Sequence, residues 1–227
     1  MCGRFTLANP AAAFNAMPWL RDVPPISPRY NIAPGQRTLI ICDQSGPAVR
    51  LAAWGLHKTW GTAKRDLLIN ARSEKVLETP SFSESFRHRR CVIPADGFYE
   101  WRKSSTTAEP HFFRLTGAAP FCFAGLYEGD GDSSKFVVLT TTANSLVKRV
   151  HLRMPVMLAP ADAMAYMSTP PDAPEMRQFF QPVPACRMES YRVNPLVNRI
   201  ENDFPACMEL YKPVSEGQGD LFSHGPE

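Results

Sequence analysis

The second residue of the chain, Cys2, is the first group whose position gives it unusual chemistry. Methionine aminopeptidases generally remove an initiator Met that precedes a small residue, and removal of Met1 leaves Cys2 as the amino terminus. A terminal Cys carries an α-amine, with a pKa of about 7.7 to 8.0, and a thiol, with a pKa of about 8.5, on adjacent carbons. The amine can form an imine with an aldehyde, after which the sulfur closes a five-membered thiazolidine ring. The alternative is that Cys2 packs as a small apolar side chain.

Further polar and aromatic segments are spread along the chain. Three residues in these segments also have a plain structural interpretation. Glu100, beside Trp101, fits a surface carboxylate, His151 fits a surface or structural imidazole, and Asn70 fits a turn cap. The segments are 29–36 (RYNIAPGQ), 54–56 (WGL), 70–74 (NARSE), 97–101 (GFYEW) and 151–155 (HLRMP).

Taken together with Cys2-Gly3-Arg4, these segments resemble the abasic-site processing family, also called SOS-response-associated peptidase (SRAP). The likeness runs in order from Cys2 to about Lys212. It implies a DNA-damage protein that senses abasic sites in single-stranded DNA. Such a protein crosslinks to the ring-opened sugar aldehyde through its terminal Cys and thereby shields the lesion. The resemblance also implies autoproteolytic processing, a hydrolase-type activity, and AP-lyase-type activity.

The same resemblance implies roles for four residues. Cys2 matches the nucleophile, and Glu100 matches the acidic residue that shuttles protons beside it. His151 matches the residue that acts on the sugar, and Asn70 matches the amide that holds the lesion or the Cys2 terminus. A carboxyl group whose pKa is raised by partial burial would suit the loss of water during imine formation.

A path for DNA is expected beside these residues. A guanidinium group fits phosphate oxygens, and an abasic nucleotide offers mainly backbone and sugar to contact. Tryptophan can stack on a neighbouring base, although Trp54 is expected in the core. The run 86–90 (FRHRR) fits either a phosphate-facing edge or a solvated helix face. The predicted DNA-binding residues are Gly3, Arg4, Pro34, Trp60, Arg72 and Arg153.

Two other classes of function fit the same residues. The first is a cysteine peptidase or amidase in which Cys2 works with His151 and Glu100. The second is a module that binds single-stranded DNA without a covalent bond, through its Arg and Trp side chains.

Composition limits the class of protein. Hydrophobic residues make up 44% of the 227 and charged residues 21%, which is typical of a folded chain. The formal charge of +3 is too small to demonstrate nucleic-acid binding by itself. The apolar runs are shorter than a membrane span, and the cysteines lack metal-site spacing. These features favour a cytoplasmic protein without a cofactor or a metal. The resemblance implies association with the nucleoid when the protein is bound to DNA, and we expect a monomer.

The 22 prolines favour short elements and many turns over long helices. We expect one α+β domain over residues 1–211, with a curved, mainly antiparallel, barrel-like sheet flanked by short helices. Strands are expected at 37–42, 49–54, 67–71, 91–101 (with a Pro/Gly interruption), 111–115, 121–127, 136–141 and 155–158. Helices are expected at 11–17, 83–90, 142–150 and 160–167.

Residues 212–227 read as a disordered tail that contains a candidate peptide motif. Gln218, Asp220, Leu221 and Phe222 resemble the pentapeptide that binds the bacterial sliding clamp. The second position of that motif is usually Leu, and here it is Gly219, so weak binding is expected. A chance apolar pair in a polar tail is the alternative.

Overall fold

A computed structural model describes residues 2–43, 46–59, 65–103 and 108–212. Short strands dominate this part of the chain. They are β1 Arg4–Leu7, β2 Arg29–Ile32, β3 Arg37–Asp43, β4 Pro47–Trp54, β5 Leu56–Thr59, β6 Arg65–Leu68, β7 Asn70–Arg72, β8 Arg90–Ala95, β9 Gly97–Lys103, β10 Ala108–Leu115, β11 Phe121–Glu128, β12 Lys135–Thr142, β13 Arg153–Pro155, β14 Met157–Leu158 and β15 Met188–Arg192.

The helices are short, as the proline content predicts. The first begins where Asn9 caps it, because the Asn9 side chain accepts a hydrogen bond from the Ala12 amide and Pro10 occupies the first turn. The α-helices are α1 Pro10–Asn15, α2 Ser83–His88, α3 Ala163–Ser168 and α4 Met176–Phe179. The 3-10 helices are Ser73–Lys75, Thr116–Ala118, Gly131–Ser133, Val147–Arg149, Pro160–Asp162, Ala185–Arg187, Pro195–Asn198 and Pro205–Met208.

The strands form one α+β domain with a five-stranded sheet, an eight-stranded sheet and a small hairpin. The five-stranded sheet has the order β15-β10-β9-β1-β2, and β5 pairs with β6 in the hairpin. In the larger sheet, β12, β4, β3, β8 and β11 pair in sequence, and an added β11–β12 pairing joins them into a ring. Most pairs are antiparallel, as expected, but β12 runs parallel to β4 and to β7. The sheet is therefore mixed, with a ring of strands where the sequence suggested a barrel.

Side-chain alternation along β11 shows how the layers pack. Phe121, Phe123 and Tyr127 join a core cluster with Phe5 of β1, whereas Cys122 and Leu126 join a second cluster. Successive side chains of a strand point to opposite faces, so both faces of β11 are covered. The second cluster contains Phe86 of α2 and Tyr166 of α3, so the large sheet lies between the five-stranded sheet and the helices.

The boundary between β8 and β9 differs from the prediction. Pro94 lies inside β8, in register with Cys122, and the break comes at Asp96. The Asp96 amide donates to the Thr6 carbonyl, and the Asp96 carboxylate accepts hydrogen bonds from the Thr6 hydroxyl and the Asn9 amide. Asp96 therefore turns the chain from the large sheet into the small one, next to β1.

Glycine at the start of β9 permits a close contact. A Cβ atom on Gly97 would lie 2.1 Å from the ring of Phe112 on the neighbouring strand β10. The ring therefore occupies the space beside the Gly97 backbone, three residues before Glu100. A side chain at this position would push apart the two strands that carry Glu100 and its partner His111.

Two other expectations are wrong. The helix predicted at 142–150 is reduced to the 3-10 turn Val147–Arg149, because Asn144 accepts hydrogen bonds from the Leu146 and Val147 amides and β12 continues to Thr142. The run 86–90 is not wholly a surface feature, since Phe86 and Arg90 are both buried. The tail beyond Lys212 and its clamp motif lie outside the described residues.

Candidate functional site

The pairing of β1 with β9 brings the amino-terminal segment beside the GFYEW segment. Arg4 is in register with Tyr99, so Gly3 and Cys2, which precede β1, continue alongside β9 in the direction of Glu100. Cys2 is fully buried, and Glu100 is 3% exposed. Residues almost a hundred positions apart thus share one buried site.

Asn70 fixes Cys2 from a third element, β7. Its Nδ2 donates a hydrogen bond of 2.9 Å to the Cys2 carbonyl oxygen. Its Oδ1 is buried and accepts no hydrogen bond from the residues that the structure describes. The amide therefore anchors Cys2 with one end and presents an acceptor with the other.

The surroundings of Cys2 favour the protonated thiol over the thiolate. It donates a long hydrogen bond, 3.8 Å from Sγ to the oxygen, to the Arg4 carbonyl. Burial raises the pKa of the Cys2 thiol strongly, and the nearby Glu100 carboxylate raises it further. A group that removes the thiol proton is therefore needed before the sulfur can attack.

Glu100 is the nearby group suited to removing the thiol proton. Burial raises the pKa of Glu100 above its ordinary value, while His151 acts in the opposite direction. The two side chains approach to 3.9 Å between Oε1 of Glu100 and Nδ1 of His151. A carboxyl group with a raised pKa is suited to give and to take a proton.

The segment at 151–155 positions His151 through its own backbone. Nδ1 lies 3.0 Å from the Arg153 amide nitrogen, which donates to it when Nδ1 carries no proton. The same Nδ1 lies 3.2 Å from the Arg153 carbonyl oxygen, to which it donates when it is protonated. The Arg153 backbone therefore offers Nδ1 both a donor and an acceptor.

Arg153 has an internal role as well as a position beside the site. Its two Nη atoms contact the two carboxylate oxygens of Glu74 at 2.6 and 2.8 Å, and Nη2 also donates to the Thr140 carbonyl. The bidentate hydrogen bond from Arg153 holds the pKa of Glu74 below its ordinary value. A phosphate at Arg153 would thus meet a cation that is already paired.

Arg4 is likewise engaged inside the protein. Its Nη1 donates to Asn31 Oδ1 at 3.2 Å and to the Val197 carbonyl at 2.7 Å, and its guanidinium lies 5.9 Å from the centre of the Trp101 ring. An open pocket of about 320 Å³ lies on this side of the site. It is lined by Gly3, Arg4, Trp101, Ala108 and Asn198.

The other predicted contact residues have separate positions. Arg72 is exposed at the end of β7, two residues after Asn70, and it pairs in register with Thr140. Pro34 is half-buried in the turn after β2. Trp54 is fully buried, and its indole nitrogen donates to the Ile69 carbonyl, so the core interpretation is confirmed. Trp60 lies outside the described residues.

Several residues that support the site were missed by sequence reasoning. Glu74 stands inside the quoted NARSE segment but gave no sign of its pairing with Arg153, 79 positions away. Asn31, in the quoted segment 29–36, and Asp203 are two further examples. The buried Asn31 donates to the carbonyls of Val197, Arg199 and Asn202, and Asp203 accepts from the backbone amides of Tyr30 and Asn31.

Three general features of the described residues complete the picture of the site. Within the ranges that the structure describes, no group of three or more His, Cys, Asp or Glu side chains could hold a metal ion. In the same ranges, none of the helices has the length and apolar character needed to cross a membrane. All six cysteines are free thiols.

Curated proteins similar to this chain carry consistent names. The abasic site processing protein YoqW of Bacillus subtilis (strain 168) is 35% identical over 225 residues, which cover 93% of this chain and all of the relative. The abasic site processing protein YedK of Escherichia coli (strain K12) is 27% identical, over 94% of this chain and all of the relative. The abasic site processing protein HMCES of Xenopus tropicalis is 22% identical, over 80% of this chain and 65% of the relative.

Solved structures share the fold. A protein from Bacteroides thetaiotaomicron superposes with a TM-score of 0.76 at 23% identity, over 93% of this chain and all of the other. A phage-related protein from Bordetella bronchiseptica superposes with a TM-score of 0.68 at 26% identity, over 85% of this chain and 94% of the other. The family model described as SOS response associated peptidase (SRAP) matches residues 1–200. The chain therefore belongs to the SRAP family, whose curated relatives are named abasic site processing proteins.

Proposed function

We propose that this protein captures abasic sites in single-stranded DNA by forming a thiazolidine crosslink through Cys2 after removal of Met1. The observation that carries the proposal is the arrangement around Cys2. Its carbonyl is held by Asn70, and its thiol lies in the electrostatic field of Glu100, which in turn approaches His151. The Cys2 α-nitrogen becomes a primary amine only when the bond to Met1 is cleaved.

The proposed reaction balances with Glu100 as the proton carrier. The Cys2 amine adds to the C1′ aldehyde of the opened sugar and forms a carbinolamine. Protonated Glu100 gives a proton to the carbinolamine hydroxyl, and water leaves to form the iminium ion. The Glu100 carboxylate then removes the thiol proton as Sγ bonds to C1′. One C–N and one C–S bond form, the aldehyde oxygen leaves as one water, Glu100 ends protonated as it began, and the addition of the thiolate to the iminium carbon leaves the ring nitrogen as a neutral secondary amine.

His151 is assigned to the sugar. The closed form of an abasic sugar opens when its C1′ hydroxyl loses a proton and its ring oxygen gains one. The two backbone partners of His151 Nδ1 support either direction of proton transfer. The unpaired Oδ1 of Asn70 is an acceptor for the freed amine or for a lesion hydroxyl.

The proposed DNA path passes the pocket beside Gly3 and Arg4 and the exposed guanidinium of Arg72. Arg153 acts chiefly by holding the segment 151–155 in place, since both Nη atoms of its guanidinium are paired with Glu74. Pro34 and Trp60 stay predictions for contacts with neighbouring bases. We further propose that the protein acts as a monomer in the compartment that holds the DNA.

The peptidase or amidase alternative is less well supported. A cysteine hydrolase needs a thiolate with a lowered pKa beside an imidazolium. Here burial and then Glu100 raise the pKa of the Cys2 thiol, and its hydrogen bond goes to the Arg4 carbonyl. Autoproteolytic and AP-lyase-type activities stay proposals that the same Cys2, Glu100 and His151 groups would serve.

The test is a crosslinking assay with protein whose Met1 removal has been verified by intact mass. The protein is incubated with a single-stranded oligonucleotide containing one abasic site, then denatured by heat and run on a gel. We expect a shifted band and a mass equal to the sum of protein and DNA minus one water. Cys2→Ala should lose it, whereas Cys186→Ala, a matched change at an exposed thiol, should keep it. A band that survives Cys2→Ala, or that vanishes on denaturation, would refute the covalent proposal.

A further inference from the structure

Leu152 is an apolar side chain that projects into solvent beside the reactive centre. Among the large apolar side chains that the structure describes as exposed, it has the greatest exposed fraction, 68%. It stands between His151 and Arg153, and the reaction proposed above gives it no part. Single exposed leucines are common on protein surfaces, so its position has to decide whether this one has a role.

The backbone around Leu152 is fixed. Its carbonyl accepts a hydrogen bond of 3.0 Å from the amide of Ala143, just beyond the end of β12. The preceding residue, His151, donates its amide hydrogen to the Val147 carbonyl over 2.9 Å. The following residue, Arg153, begins β13, which pairs with β12. The Leu152 side chain therefore projects from backbone that is already ordered, which lowers the entropy cost of a contact made by it.

The neighbour of Leu152 in the chain connects it to the sugar of the lesion. His151 Nδ1 lies 3.9 Å from Oε1 of Glu100, and consecutive Cα atoms are about 3.8 Å apart. In the reaction proposed above, C1′ of the lesion lies among Cys2, Glu100 and His151. An ordinary nucleotide carries its base on C1′, so an abasic nucleotide leaves an empty volume next to these residues. Leu152 is the strongly exposed apolar side chain that adjoins His151.

The charges around Leu152 suit a nucleic-acid strand. The 3-10 turn just before the segment 151–155 carries two exposed cations, Lys148 and Arg149, and neither forms an ion pair with a described residue. Arg72 is exposed at the same edge of the sheet, because β7 runs parallel to β12. Glu74, also at this edge, is already paired with Arg153. Exposed guanidinium and ammonium groups are the usual partners of phosphate oxygens, so a strand of DNA fits this edge.

An apolar side chain is suited to the space that a lost base leaves. Proteins that bend DNA place Leu and other apolar side chains between base steps, at the cost of unstacking them. At an abasic nucleotide the stack is already interrupted, so insertion there costs less. In an intact strand the base itself fills the space. A contact of this kind therefore distinguishes strands with a lesion from strands without one.

From these observations we infer that Leu152 occupies the space of the missing base, between the two bases that flank the lesion, and thereby favours abasic over intact single strands. The inference rests on the proposed function, because Leu152 meets this space only when the sugar lies at Cys2 and His151. It assigns Leu152 to the selection of the lesion, before any covalent bond forms.

The test measures binding without reaction. One oligonucleotide carries a tetrahydrofuran nucleotide, which has the shape of an abasic sugar but no aldehyde, and the other carries thymine at that position. Leu152→Ser should weaken binding to the tetrahydrofuran strand about five- to tenfold, the effect of losing part of a buried leucine, and should change binding to the intact strand by less than about twofold. Leu152→Met keeps the apolar volume and should bind both strands as the parent does.

A matched control and a second measurement locate the side chain. Leu51→Ser is the same change at a 48% exposed leucine of β4, a strand that pairs with the opposite end of β12, and it should bind as the parent does. 2-Aminopurine next to the tetrahydrofuran fluoresces more strongly when it loses its stacking neighbour. Saturating parent protein should increase this fluorescence with the probe on at least one side of the lesion. Saturating Leu152→Ser should lose most of the increase, and its melting temperature should equal that of the parent.

The outcomes separate this inference from the proposed function. The inference is overturned if Leu152→Ser weakens binding to both strands equally or to neither, or if it keeps the full fluorescence increase at saturation. Crosslinking of the parent to a strand with a true abasic site is measured in parallel. If the parent forms no adduct there, the proposed function itself has failed, and the inference falls with it.

Discussion

The Asn70 side chain donates to the Cys2 carbonyl over 2.9 Å, although 68 positions separate the two residues in the chain. Asn70 lies on β7, which pairs with β12 of the large sheet, whereas Cys2 leads into β1 of the small sheet. Chain termini usually fray unless they are tied down. This hydrogen bond joins the two sheets at the residue that is proposed to react.

Asn70→Ala should therefore slow crosslinking more than it lowers stability. Loss of the anchor leaves the Cys2 carbonyl unpaired and widens the positions that the amine can take, and small misplacements cost about 100-fold in rate. We expect a rate about 10- to 100-fold lower in a single-turnover assay on abasic DNA, with about 1 to 2 kcal/mol lost from the free energy of unfolding. Asn70→Asp keeps the shape but not the donor, so a rate equal to that of the parent in this variant would contradict the role of Nδ2.

Glu100 makes the stability of the protein depend on pH. Burial raises the pKa of this carboxyl in the folded protein above its ordinary value of 4.5. At pH values between 4.5 and the raised pKa, the folded state binds more protons than the unfolded state. The free energy of unfolding therefore falls as the pH rises through this window and then levels off. Glu100→Gln removes the titration. We expect its melting temperature relative to the parent to increase from about pH 4 to about pH 8, while its crosslinking rate falls about 100-fold or more. If the melting temperatures of Glu100→Gln and the parent change equally with pH, the pKa of Glu100 is not raised.

Glu74 neutralises the charge that Arg153 would otherwise present to a phosphate. Glu74→Gln keeps one hydrogen bond to the guanidinium but removes the neutralising charge. One additional phosphate contact in single-stranded DNA steepens the dependence of log affinity on log salt by about 0.7. We expect tighter binding to intact single-stranded DNA and this steeper slope in a titration over salt concentration. Glu78→Gln, the same charge change at an exposed residue four positions along the chain, should leave the slope unchanged.

Arg90 supports the helical layer rather than a phosphate. Its guanidinium donates to four backbone carbonyls, those of Phe86, Tyr166, Met167 and Thr169. Arg90→Met would leave these oxygens without their donor, and we expect a loss of about 3 kcal/mol or more from the free energy of unfolding. Arg87→Met breaks only a surface ion pair with Asp172 and should cost less than about 1 kcal/mol. Urea unfolding of both variants measures the difference, and equal losses would contradict this assignment.

The tail motif stays a prediction outside the described residues. A peptide with the sequence of the tail should compete for a bacterial sliding clamp, because Leu221 and Phe222 would enter its apolar groove. Weak affinity is expected, since Gly219 replaces the usual Leu. Leu221→Ala combined with Phe222→Ala should abolish competition in a fluorescence polarisation assay. If the double variant competes as well as the parent peptide, the motif is a chance apolar pair.

Local pattern accounts for what the sequence predicts well. The strands β3, β4, β8, β11 and β12 follow from apolar runs bounded by turn residues, and helix lengths follow from the prolines. The strands β1, β2 and β15 were not predicted, because they are four or five residues long and mix polar with apolar side chains. Such short segments form strands only when a partner supplies their hydrogen bonds.

The sequence by itself determined the order of the motifs, the residue types suited to aldehyde capture and the β-rich class of the fold. Only the tertiary structure decided which charged groups face inward. It paired Arg153 with Glu74, buried Arg90 among carbonyls, engaged Arg4 with Asn31 and left Ser73 without a partner in a cleft. The physical reason is that periodicity and turn chemistry act over a few residues, whereas ion pairs and buried hydrogen bonds join residues that are distant in the chain. Their partners are set by how the two sheets and the helical layer pack together.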